Sequence, residues 1–102
     1  MSEFVPVLSV TDLPPGQAAE VSVGTQPVAL FNIGGTFHAL TNRCPHRGGP
    51  LGQGFVDGSQ VSCPWHNYTF DVTTGENVVD PQLKVARYDV KVEDGRVFVK
   101  VE

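Results

Sequence analysis

The sequence is short of several things, and each shortage removes a class of function. Long apolar runs are missing, and nothing approaches the roughly 20 residues a helix needs to cross a bilayer. The N-terminal stretch "MSEFVPVLSV" has neither the basic flank nor the apolar block of a secretory signal. A cytoplasmic location is therefore expected, and it suits reduced thiols. Basic residues are few, 7 against 11 acidic ones, giving a net charge of −4. With no basic patch to follow a phosphate backbone, nucleic acid is not an expected partner. The acidic balance suits solubility and steering towards a basic surface. Helical patterning is absent too: no long window keeps apolar positions at helical spacing without a Gly or Pro. There is no repeat, low-complexity tract or linker, so residues 1–102 read as one domain, expected to be a monomer. Cysteine and histidine are scarce, at 2 and 3, so their placement carries weight.

What the sequence does have is β patterning. Hydrophobic residues make up 40% and charged residues 18%, which fits a globular chain. "VALFNIGGTFHAL" (28–40) reads as two strands joined at Gly34-Gly35. "FVDGSQVSC" (55–63) repeats the pattern around Asp57-Gly58, and "RYDVKVEDGRVFVKV" (87–101) around Asp94-Gly95. In the last segment Tyr88, Val90 and Val92 alternate with Arg87, Asp89 and Lys91. That period marks half-buried antiparallel strands. Shorter strands are expected near 3–9, 18–23 and 68–72. The fold class is all-β, a compact antiparallel sandwich or barrel. Residues 43–54, "RCPHRGGPLGQG", interrupt it with four glycines and two prolines.

Both cysteines and two of the histidines fall in two loops, about 43–54 and 63–68. The pattern is Cys44-x-His46, sixteen residues, then Cys63-x-x-His66. A Cys and a His so spaced on a tight turn can point at one centre, and two such turns close a four-ligand cage. A disulfide between Cys44 and Cys63 leaves the histidines unexplained and does not suit the cytoplasm. Tetrahedral zinc accepts two Cys and two His, though its common spacing keeps like ligands together. A [2Fe–2S] cluster fits mixed pairs by placing both thiolates on one iron and both imidazoles on the other.

With "CPHRGGPLGQG" and "CPWHNYTFDVTTGE" in place, the chain resembles the Rieske [2Fe–2S] family over essentially its whole length. It closely resembles the small Rieske ferredoxins of bacterial oxygenase systems, and is also similar to the Rieske-type small subunit of assimilatory nitrite reductase. The resemblance implies a β-sandwich base with a two-loop cluster-binding tip and one [2Fe–2S] cluster per chain. It also implies Cys44 and Cys63 on the inner iron and His46 and His66 on the outer one. The two extra cysteines of the respiratory branch are absent. Gly49 and Trp65 stand at those positions, so the loops must hold by packing and by the cluster.

Neighbouring residues have narrower expected roles. Gly48, Gly49 and Gly52 can adopt positive φ and admit backbone N–H groups to the cluster. Pro50 and Pro64 stiffen the loops. Trp65 shields the centre, and Arg43 and Arg47 flank the first loop, Arg47 as a partner contact. His38 lies in a strand and is not an expected ligand. Asp71 and Gly75 read as a turn.

Two ferric ions, two sulfides and two thiolates sum to zero with neutral imidazoles, and one electron makes the site −1. No nucleophile with its base and no open metal position is evident, so the chain is expected to carry electrons and not to be an enzyme. The leading expectation is a one-electron carrier between a flavin-containing or other reductase and a terminal oxygenase. A nitrite reductase-type subunit and a structural zinc domain are the alternatives. In high-potential relatives a Ser and a Tyr hydroxyl donate to cluster sulfurs; the matching residues here are Tyr68 and Phe70. That departure implies a potential below roughly −50 mV, low in the family's range.

Overall fold

The computed structural model describes residues 4–42, 50–63, 68–80 and 82–101. Nine strands follow in order: β1 Val5–Ser9, β2 Ala18–Val23, β3 Gln26–Ile33, β4 Thr36–Thr41, β5 Phe55–Asp57, β6 Gln60–Ser62, β7 Thr69–Asp71, β8 Arg87–Glu93 and β9 Arg96–Lys100. Among the described residues the helical segments are two 3-10 turns, Val10–Asp12 and Leu51–Gln53. Among the described residues no helix is long and apolar enough to cross a membrane.

One sheet runs β1-β9-β8-β4-β3-β2, and its edge strands β1 and β2 approach each other, curling it towards a barrel. All its pairings are antiparallel. A second, three-stranded sheet runs β5-β6-β7. The Gly34-Gly35 and Asp94-Gly95 turns have positive φ at both residues: 61° and 98° in the first, 52° and 76° in the second. Paired positive φ is the hairpin geometry whose twist matches the flanking strands. The β5–β6 turn falls at Gly58-Ser59, since Asp57 pairs with Gln60. The expected centre was one residue earlier. A further hairpin, closed by Val23 against Gln26 across Gly24-Thr25, joins β2 to β3.

β3 explains how one small chain supports two cores. Its "VALF" run has no polar alternation because both faces are buried. Val28 and Leu30 enter a base core with Leu13, Val23, Ala39, Val97 and Val99. Ala29 and Phe31 enter a cap core with Leu40, Leu51, Val61, Cys63, Phe70, Val72 and Val85. β4 is divided the same way, Ala39 to the base and Leu40 to the cap. Val92, part of the apolar alternation in β8, is instead 52% exposed. The recorded pairing of β8 with β4 covers only Arg87 and Tyr88, so Val92 lies beyond that overlap, near the hairpin turn.

Candidate metal centre

The second candidate loop is the connection of the β6–β7 hairpin. Ser62 pairs with Thr69, and their hydroxyls lie 2.9 Å apart in a hydrogen bond. One residue further out, the Cys63 N–H donates to the Tyr68 carbonyl at 2.7 Å. The chain thus leaves and re-enters the sheet at a tightly closed neck, with His66 between in sequence. Cys63 is fully buried in the cap core. A thiolate there must have a compensating cation, which a metal ion supplies.

The first loop leaves β4 and returns through Pro50 and Leu51–Gln53. Asn42 closes its root. Its carbonyl accepts the Leu51 N–H at 3.1 Å, and its side-chain Oδ1 accepts the Gly52 N–H at 2.7 Å. Gly52 therefore differs from its expected role: it lacks positive φ, and its N–H is committed to Asn42. Glycine is needed there because a Cβ would sit 2.6 Å from Glu20 Cγ and 3.0 Å from the Ala19 carbonyl oxygen. At Gly54 a Cβ would strike the Ser62 carbonyl oxygen and lie 2.9 Å from Val61. The exit of the first loop is thus pressed onto the strand that leads to Cys63.

The roots of the two loops share one core, since Leu51 and Cys63 are both fully buried in the cap cluster. Of the four candidate ligands, the structure describes Cys63. Cys44, His46 and His66 lie outside the described residues, as do Arg43, Arg47, Gly48, Gly49, Pro64 and Trp65. His38 is half-buried on β4, opposite Phe31. Burial, then the Arg87 charge, hold its imidazole below its ordinary range, with Asp71 opposing. It borders a cleft with Phe4, Arg87 and Tyr88 and is not in the cap cluster. Asp71 and Gly75 form the expected turn: Gly75 N–H donates to the Asp71 carbonyl at 2.7 Å with φ 81°.

A third segment beside the site had no counterpart in the sequence reading. Val78 N–H donates to Thr69 O, and Asp71 N–H to Glu76 O, so residues 76–78 run alongside β7. Buried Asn77 then accepts the Val79 and Asp80 N–H groups on its Oδ1. The result is a cleft of about 290 Å³ bordered by Tyr68, Thr69, Asn77, Val79, Asp80 and Leu83. The available signal was "NVVDPQ", an Asn and an Asp-Pro bracketing two valines.

Residues 3–94 match the Rieske [2Fe-2S] domain family. This chain belongs to that family. The ferredoxin component of the naphthalene 1,2-dioxygenase/salicylate 5-hydroxylase systems of Ralstonia sp is 33% identical, over 97% of this chain and 96% of its own. Human Apoptosis-inducing factor 3 is 40% identical over 92% of this chain, which spans only 16% of that longer protein. Among solved structures, a chain in the complex of reduced oxygenase and oxidized ferredoxin of carbazole 1,9a-dioxygenase superposes with a TM-score of 0.86 at 32% identity. That match covers 94% of this chain and 91% of the other.

The cofactor of a Rieske domain is one [2Fe–2S] cluster, which sets aside the zinc alternative. The described frame fits it. A fully buried cysteine directly follows β6, the necks of both loops are closed by hydrogen bonds, and both rest on one apolar core. The donor set of two thiols and two imidazoles in mixed pairs suits a cluster with unlike irons.

Proposed function

We propose that this Rieske domain is a one-electron carrier that takes electrons from a reductase and delivers them to a terminal oxygenase. Cys44 and Cys63 hold the inner iron, and His46 and His66 the outer one. The cluster, when bound, supplies reversible one-electron chemistry at a site that goes from neutral to −1. The protein's own part is to fix the two loops, exclude water on the Cys63 side and leave the histidine side for a partner. The observation that carries the reading is the match to a dioxygenase ferredoxin component across 96% of that component's length. The structure of a ferredoxin with its oxygenase in the carbazole system supports the choice of partner.

The test is reconstitution. Purified holoprotein, a flavin reductase with NADH and a Rieske-type oxygenase should consume oxygen only when all three are present. Oxygen uptake and product formation unchanged by omitting this protein would overturn the carrier reading. The likeness to Apoptosis-inducing factor 3, spanned to only 16%, favours a second reading in which the domain is a module of a longer polypeptide. The mass of the native protein separates the two.

A further inference from the structure

The root of the first loop is held from outside by a strand that contributes no candidate ligand. Glu20 sits on β2 with an exposed side chain. Its Oε2 accepts from Asn42 Nδ2 at 2.7 Å, and its Oε1 accepts from Gln53 Nε2 at 2.8 Å. Asn42 ends the entry to the loop and Gln53 ends its exit, so one carboxylate bridges both arms. Asn42 extends the bridge inward through its Oδ1, which accepts the Gly52 N–H at 2.7 Å. The stem of Glu20 lies so close to Gly52 that no Cβ fits between them.

We propose that Glu20 is a positioning residue of the electron-transfer site, a brace from β2 that fixes the root of the first loop, Asn42 and Leu51–Gln53, against the barrel. This rests on the reading that the two loops hold the cluster. The two amide donors, Gln53 and then Asn42, hold the Glu20 carboxyl below the usual carboxylate range, so it stays an acceptor on both oxygens at neutral pH. Single exposed hydrogen bonds contribute little. The effect comes from convergence: both arms, one carboxylate and a glycine contact meet at one turn.

The pattern can be broken and rebuilt. Glu20→Gln turns one acceptor into an amide that either faces the Asn42 amide, whose orientation the Gly52 N–H fixes, or turns to Gln53, whose amide must then turn over, and both arrangements lose the charge on the acceptor. Adding Asn42→Asp restores the bond with its direction reversed: the amide introduced on β2 donates to the new carboxylate, whose other oxygen still accepts the Gly52 N–H. Net charge returns to that of the starting protein. The experiment uses holoprotein, with cluster loss under a chelator followed by visible absorbance and amide exchange followed by NMR or mass spectrometry. Glu20→Gln should lose its cluster about three- to tenfold faster, with Gly52 exchange accelerated and Val97 exchange in β9 unchanged. The Glu20→Gln/Asn42→Asp pair should return towards the wild-type rate. Gln53→Ala, which removes one arm alone, should give an intermediate rate. Wild-type rates in both Glu20→Gln and Gln53→Ala would overturn the brace. So would Val97 exchange accelerated as much as Gly52, which would mean general loosening. Cys63→Ala in the same series separates the two layers. If it retains a wild-type cluster, the reading of the loops fails and the brace with it. If it loses the cluster while Glu20→Gln behaves as wild type, only the brace fails.

Discussion

The base core and the cap core share two strands and are built by different means. The base is closed by strands of five to eight residues, such as β1 and β3, and its side chains enter by simple alternation. The cap is built on three-residue strands, β5, β6 and β7. It is held by particular ties: Cys63 to Tyr68, Ser62 to Thr69, Asn42 to Gly52, and glycines pressed against neighbouring backbone. Such short strands offer little stability by themselves. The base thus supplies the fold, and the cap supplies a geometry that its cluster completes. Damage to the two regions should therefore read out differently.

The largest contrast comes from the ligands. Cys63→Ala, and equally Cys44→Ala, His46→Ala or His66→Ala, should abolish the cluster, seen as loss of iron, acid-labile sulfide and visible absorbance. Amide protection in β3 and β9 should survive. A cluster retained in any of these, or protection lost in β9, would break the separation of the two regions.

Next come paired truncations of fully buried leucines, Leu30→Ala in the base and Leu51→Ala in the cap. Each should cost about 2–5 kcal/mol. The base variant should lower the denaturant midpoint of the whole domain. The cap variant should show most of its effect as faster cluster loss. Gly54→Ala probes the same contrast by overpacking, because its methyl group meets the Ser62 carbonyl and Val61. About 1–3 kcal/mol of destabilisation is expected, again with cluster retention hit hardest.

Phe70→Tyr alters the cap without emptying it. Phe70 is fully buried in the cluster of side chains that contains Cys63. A hydroxyl donating to sulfur favours the reduced, more negative state. Voltammetry should show a rise of at most about 65–130 mV; a fall would show that the hydroxyl does not reach the sulfur.

The smallest effect is that of pH on His38, which lies on β4, one of the strands the two cores share. Its imidazole is held below the ordinary value of 6.5, chiefly by burial. The fold therefore binds this proton more weakly than the unfolded chain does. The stability it contributes is present above about 6.5 and is lost as pH falls from there through its lowered folded value. His38→Gln should flatten melting temperature against pH in that window while leaving the cluster spectrum unchanged.

Much of the base was legible because its rules are local. Gly34-Gly35 and Asp94-Gly95 specify their turns by themselves, and the alternating valines of β9 point inward as written. Val92 was misleading, because alternation cannot tell where a strand outruns its neighbour. In the cap, the positions of Cys63 and of the turn from Asp71 to Gly75 followed from spacing and glycine. The Glu20 brace did not, because its partners lie 22 and 33 residues away and carry no periodic signal. The strip 76–78 beside β7 was hidden for the same reason: backbone hydrogen bonds and a buried Asn77 hold it, and neither leaves an apolar pattern.

The central claim is that two loops rooted on one core hold one cluster through two thiolates and two imidazoles. Pulsed EPR of the reduced protein, with histidine labelled by nitrogen-15, tests it most directly. The account predicts two histidine nitrogens coupled to the reduced iron in the wild-type protein, and both kept in His38→Ala. A reduced cluster with no histidine nitrogen coupling, or with a coupling that disappears in His38→Ala, would contradict it.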